Sequence, residues 1–181
     1  MAVEAFSPSG NLELRQGEIL SGLTIHDYLP QEDEVQPKIK RYAIIVNQDC
    51  DLLQDFDKRK SGLAGNLEYI LLIEGQLSTS IKASIGGRDL WKPVENNKNE
   101  RFQLFSAVPP ERDSAAVGLP SLTFDFRSVF CLATNELYRQ INAAEVQRRC
   151  ILNDMYRENF QLRFANFLSR VLLPVPHRFT A

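Results

Sequence analysis

Histidine is nearly absent. The 181 residues contain two, His26 and His177, far apart in the chain. Cysteine is scarce too, with Cys50, Cys131 and Cys150 forming no Cys-x-x-Cys pair, so the sequence assembles neither a zinc site nor a histidine-based nucleophile triad. An odd cysteine count outside any disulfide framework implies reduced thiols. Cys131, inside Ser-Val-Phe-Cys-Leu-Ala, reads as a small core residue. No apolar run approaches the roughly 20 residues of a membrane helix. The opening Met-Ala-Val-Glu-Ala-Phe lacks a basic segment ahead of an apolar one, so the expectation is a cytoplasmic protein that uses no membrane. Glycine and proline number only 9 each, which excludes collagen and low-complexity disorder, and Gly62 and Gly86-Gly87 fit no phosphate-binding pattern. No cofactor and no metal is expected.

What remains is 44% hydrophobic and 24% charged, the make-up of one globular domain. The boundaries read as a flexible tail over 1–15, a single domain over 16–173 and a second tail over 174–181. Formal charge is -2, which argues against a surface built mainly to hold nucleic acid. The charge is unevenly spread: residues 1–57 carry 11 acids and 4 bases, the rest 12 acids and 17 bases. Either the two parts neutralise each other in the fold, or the C-terminal part offers a basic face to an acidic partner.

Along the chain, a strand is expected near 18–24, then a solvated acidic loop over Gln31 to Pro37. Arg41 to Val46 reads as a buried strand ending in a polar turn, Asn47-Gln48-Asp49-Cys50-Asp51. Glu68 to Glu74 forms another strand. Residues 77–95 suggest a helix interrupted by Gly86-Gly87, and further strands follow at 101–107, 121–126, 129–133 and 149–152. The last helix begins at Asn153 and stops at Pro174. Its stripe of Tyr156, Phe160, Phe164, Phe167 and Val171 steps by four, four, three and four, one apolar face for packing on a sheet.

The crowded turn Asn47, Gln48, Asp49, Cys50, Asp51 is the most unusual stretch. It is read as a release from the strand, as a partner or cation site if Asp49 and Asp51 face one way, or as a thiol site disfavoured by its acidic neighbours. Arg148 and Arg149 belong to a run, from Arg139 to Arg178, of seven arginines against three acids. They belong either to an interface for an acidic partner or to internal pairing with the acidic N-terminal third.

Gly17-Glu18-Ile19-Leu20, Arg41 through Asp49, Tyr69 to Ile73 and Leu122 to Val129 together resemble the PemK/MazF-like toxin barrels. The resemblance implies an α+β fold: a small, strongly bent antiparallel β-barrel with an inserted segment at 77–105 and a packed C-terminal helix. In that family an arginine after the first strand and a hydroxyl after the third accompany cleavage of single-stranded RNA; Thr79 matches the hydroxyl by position, and Arg41 is the arginine that such an activity would use here. Residues 25–40 contain no arginine and carry acids instead, and Tyr42 stands where the family has proline. The functional expectation is therefore a non-catalytic bacterial accessory or regulatory protein in a toxin-related or defence assembly. A protein partner is expected first and RNA second, with an RNA endonuclease using Arg41 and Thr79 as the alternative. The Gln-x-Cys-Asp segment also resembles a group of bacterial proteins without an assigned activity.

Overall fold

A computed structural model describes residues 5–29 and 33–169. The described elements are β1 (Phe6–Pro8), β2 (Glu18–Leu29), β3 (Glu34–Ile45), α1 (Asp49–Lys60), β4 (Tyr69–Leu77), α2 (Ser78–Ile85), α3 (Arg88–Glu95), β5 (Phe102–Phe105), β6 (Leu122–Ala133), α4 (Thr134–Asn142), β7 (Gln147–Leu152) and α5 (Asp154–Leu168). All seven strands join one antiparallel sheet in the order β1-β7-β2-β3-β4-β6-β5. The mixed α+β class is as expected.

Strand alternation explains how the sheet is covered on both faces. Tyr42 and Ile44 of β3 enter one cluster with Ile19, Ile73, Phe105, Phe124, Phe126, Phe160 and Phe164, whereas Ala43 and Ile45 enter a second with Leu20, Ile70, Leu72, Leu52 and Leu137. Helix α5 covers the first face through its aromatic stripe, with Tyr156 and Phe167 packed at the margin. Helices α1 and α4 cover the second. Val171 and Pro174 lie outside the described residues, as do His177 and the expected tail over 174–181. The segment expected as an N-terminal tail includes β1, which pairs with β7 from Phe6↔Leu152 to Pro8↔Cys150, and the buried Leu14. Composition suggested a turn there, but the apolar Phe6 and Leu14 have a face to fill.

The sheet curls until its two edges approach: the rings of Phe6 in β1 and Phe105 in β5 meet edge-on at 5.3 Å. No ladder joins β1 to β5, so the sheet is open and not a closed barrel. Side chains seal exposed backbone in place of a neighbouring strand. The Asn97 amide donates to Leu104 O at 2.9 Å and accepts from Leu104 N at 2.7 Å, and the Gln140 amide does the same for Thr24 at 2.8 and 3.0 Å.

Three further expectations change. Residues 34–37, taken as loop, are strand, because β2 and β3 run on beyond the rest of the sheet as a paired hairpin arm from Thr24↔Ile39 to Leu29↔Glu34. Residues 121–126 and 129–133, taken as two strands, are one strand with a bulge: Gly75 pairs with Phe124 and Ile73 with Val129, so β6 carries three extra residues there. The supposed turn over 47–51 is the entry to α1. That helix places Asp49 and Asp51 in its first turn and Lys58, Arg59 and Lys60 in its last, which complements the helix dipole.

Candidate functional site

Helix α1 organises the candidate residues at its two ends, about 18 Å apart for 12 residues at 1.5 Å each. At its start, Asn47 Oδ1 accepts from Leu71 N at 2.7 Å and holds β4 beside the chain as it leaves β3. Gln48 is the N-cap residue, without a side-chain capping bond. Asp49 accepts from Arg15 Nε and Nη2, both at 3.1 Å, and from Gln16 N at 2.7 Å, and pairs with Arg157 Nη1 at 3.2 Å. It thereby ties the segment before β2 to α1 and α5. Burial works to raise the Asp49 carboxyl, but Arg15, the Gln16 amide and Arg157 hold it below the ordinary carboxylate range.

The paired-aspartate cation reading assumed an extended chain. On a helix, residues two apart are turned by about 200° and do not face each other. Among the described residues no group of three or more His, Cys, Asp or Glu gathers as a metal site. Asp51 and Cys50 are exposed, with Cys50 Sγ 3.6 Å from Gln48 Oε1 and 3.7 Å from Asp51 Oδ1.

Cys131, expected in the core, is exposed, because it lies opposite Leu71 on a face of β4 and β6 where Tyr69 is exposed as well. Cys150 is the buried thiol, and desolvation pushes it up to about 12. Native protein treated with a thiol-reactive chromophore is therefore expected to release colour for two cysteines promptly and for the third only on unfolding. Prompt reaction of all three would contradict the packing of β7.

The other end of α1 borders a concave site. Leu12, Leu14, Phe56, Leu63, Tyr138 and Ile141 give it apolar walls, Arg59, Lys60, Arg139 and Arg148 ring it, and its volume is about 820 Å³. Two buried acids fix two of the cations. Asp55 Oδ2 takes Arg59 Nε at 2.6 Å, and Arg59 also donates to Asn135 Oδ1 and to Leu67 O. Glu18 takes Arg148 Nε at 2.6 Å and Nη2 at 3.0 Å, while Arg148 also reaches the carbonyls of Asn11, Leu12 and Glu13. In each pair the acid is deep and the base nearer the surface: side-chain exposure is 2% for Asp55 against 25% for Arg59, and 1% for Glu18 against 17% for Arg148.

Gly65 lets the following loop close over the first pair, since a Cβ there would fall 2.1 Å from Asp55 Oδ1 and 2.5 Å from Arg59 Nε. The Arg59 guanidinium stands 5.4 Å over the Tyr138 ring, and burial pushes the Tyr138 phenol up from its ordinary value. On the rim, Arg139 binds both Glu136 and Glu145, and its guanidinium holds the Glu136 carboxyl down at about 2, with help from Gln140.

Of the residues singled out from the sequence, Arg148 reaches this groove, together with Arg139 from the start of the same arginine run. Arg149 turns the other way and is buried against Asp113, an internal pair but outside the N-terminal third, whereas Arg148 pairs with Glu18 of that third. Arg41 is exposed over the Tyr42 ring at 5.4 Å. Thr79 is exposed in the first turn of α2. Phe56, Arg59, Lys60, Leu63 and Tyr138 were not foreseen. The readable signal was the basic triplet Lys58-Arg59-Lys60 directly before Ser61-Gly62, a helix ending ahead of an apolar Leu63. Set against protein-family models, curated proteins and solved structures, the chain matches none of them.

Proposed function

We propose that this is a non-catalytic binding protein that takes a protein partner in the groove between α1 and α4. In this reading it serves as a cytoplasmic accessory or regulatory component of a toxin-related or defence assembly, the setting that its PemK/MazF resemblance implies. The observation that carries the binding reading is the groove itself: apolar walls around a concavity of about 820 Å³, ringed by four basic side chains. The barrel kinship belongs to the same proposal. The Phe6–Phe105 contact across the open seam supports a barrel-like sheet that parted between β1 and β5.

The competing endonuclease needs Arg41 and Thr79 to act on one phosphate. Arg41 lies along Tyr42, and Thr79 is a helix-surface hydroxyl with no side-chain hydrogen bond to a base among the described residues. Mixed-sequence single-stranded RNA incubated with the pure protein is expected to stay intact. Cleavage that disappears in both Arg41→Ala and Thr79→Ala would overturn the non-catalytic reading.

A further inference from the structure

We infer that the occupant of the α1–α4 groove is an acidic, amphipathic segment of a protein partner, an inference that rests on the binding function proposed above. The charge pattern favours it. Asp55 and Glu18 sit beneath Arg59 and Arg148, so the groove shows the cationic ends of both pairs while the anionic ends are withdrawn from its surface. Lys60 adds an exposed cation with no ion pair among the described residues, and Tyr138 brings a hydroxyl with no hydrogen-bond partner among them. A carboxylate entering here meets positive charge whose own counter-charges are already fixed, which leaves the site complementary to acid without a buried, unpaired cation when empty.

Apolar contact supplies the second half of the recognition. Leu12 and Leu63 are exposed by 76% and 62% at the mouth, above the buried Leu14 and the half-buried Phe56 and Ile141. A segment that alternates acidic and large apolar residues fills both demands, in the manner of an amphipathic helix laid into a groove.

RNA fits less well. Arg59 and Arg148 spend their guanidinium donors on Asp55, Glu18, Asn135 and backbone carbonyls, so they offer charge but few directed bonds to phosphate. The apolar walls of Leu12, Leu14, Phe56, Leu63 and Ile141 give a phosphate backbone nothing to pack against. A segment carrying a few acids among large apolar residues uses them, its acids placed toward Lys60 and away from Glu136 and Glu145 on Arg139.

The test is a selection of short random peptides displayed on phage against the full chain, run beside a selection of single-stranded RNA from a random pool. The enriched peptides are expected to combine Asp or Glu with Leu, Ile or Phe. The best of them, labelled and titrated by fluorescence anisotropy, is expected to lose at least about tenfold in affinity in each of Leu63→Asp and Lys60→Glu. Both substitutions lie at exposed positions, and circular dichroism checks that the variants stay folded. Enriched peptides that are basic or neutral, yet still lose binding in Leu63→Asp, overturn the acidic occupant and leave the groove reading in place. Peptides whose binding ignores Leu63→Asp overturn both. RNA ligands that bind the parent and fail on Lys60→Glu assign the groove to nucleic acid and overturn the acidic segment.

Discussion

Asp113→Ala is expected to destabilise the protein by about 3–5 kcal/mol, the usual consequence of leaving one member of a buried ion pair alone. The side chains of Arg149 and Asp113 are 8% and 0% exposed, joined by Nε to Oδ1 at 2.8 Å and Nη2 to Oδ2 at 2.6 Å. Arg149 is the extra residue of a bulge in β7, since Ile19 pairs with Cys150 and Leu20 with Arg148. The bulge aims the guanidinium at Asp113, at Ser21 Oγ and at Gly118 O, so one side chain clips the loop after β5 to the sheet. Without the acid, a buried guanidinium is left with neutral acceptors. Urea unfolding measures the loss, and a change below about 0.5 kcal/mol would place the pair in water. Replacing both members, Asp113→Leu with Arg149→Met, is expected to be milder than the single change. The double reversal Arg148→Glu and Arg149→Glu sets acid against Glu18 and Asp113 and is expected to unfold the chain.

The same pair sets a pH dependence. Burial works to raise Asp113, but the bonds from Arg149 and the amides of Ala115 and Val117 hold it below its ordinary value. A carboxyl lowered in the folded state contributes stability that is present above its unfolded value and lost as pH falls through its folded one. Asp49 and Asp125 are lowered in the same sense, each by arginine against the effect of burial. The parent is therefore expected to lose stability on acidification below the ordinary aspartate range, and Asp113→Ala to show a flatter profile there.

The second large effect is expected at Phe160. Its ring lies 6.0 Å from Phe105, 6.3 Å from Phe124 and 5.8 Å from Phe126, and is 1% exposed, so α5 is bound to the curled face chiefly at this point. Phe160→Ala is expected to cost about 3–5 kcal/mol through lost transfer energy and a residual cavity. Leu162→Ala, at an exposed position of the same helix, is expected to stay within about 0.5 kcal/mol. A stop codon after Leu152, removing α5 entirely, is expected to leave no cooperative unfolding transition. Equal small losses for Phe160 and Leu162 would contradict the packing of α5 on the sheet.

These two cases mark what could be read in advance. The aromatic stripe of α5 was legible because a single period of 3.6 residues holds from Tyr156 to Phe167 and nothing competes with it. The strand runs around Ala43 and Ile70 were legible because they are nearly continuous, and the one around Phe124 because Leu122, Phe124 and Phe126 alternate with polar residues. Helix α1 was not, since Asp49-Cys50-Asp51 matches turn chemistry as well as a helix start, and only Leu52, Leu53 and Phe56 mark its apolar side. The candidate groove was hidden for a different reason. Its walls come from residues 12–14, 56–63 and 135–148, which only the tertiary fold brings together. Arg148 and Arg149 show the limit most directly: adjacent and chemically identical in the sequence, they are turned to different acids by one bulge.

The most direct test of the binding site is a two-dimensional amide NMR titration of the full chain with the tightest peptide from the display selection. The account predicts shifts concentrated at Phe56, Lys60 to Leu63 and Asn135 to Asn142, with Leu12 and Leu14 moving alongside them. Shifts centred instead on Asn47 to Asp51, or on the hairpin arm at Thr24 to Tyr28 and Val35 to Lys40, would contradict it.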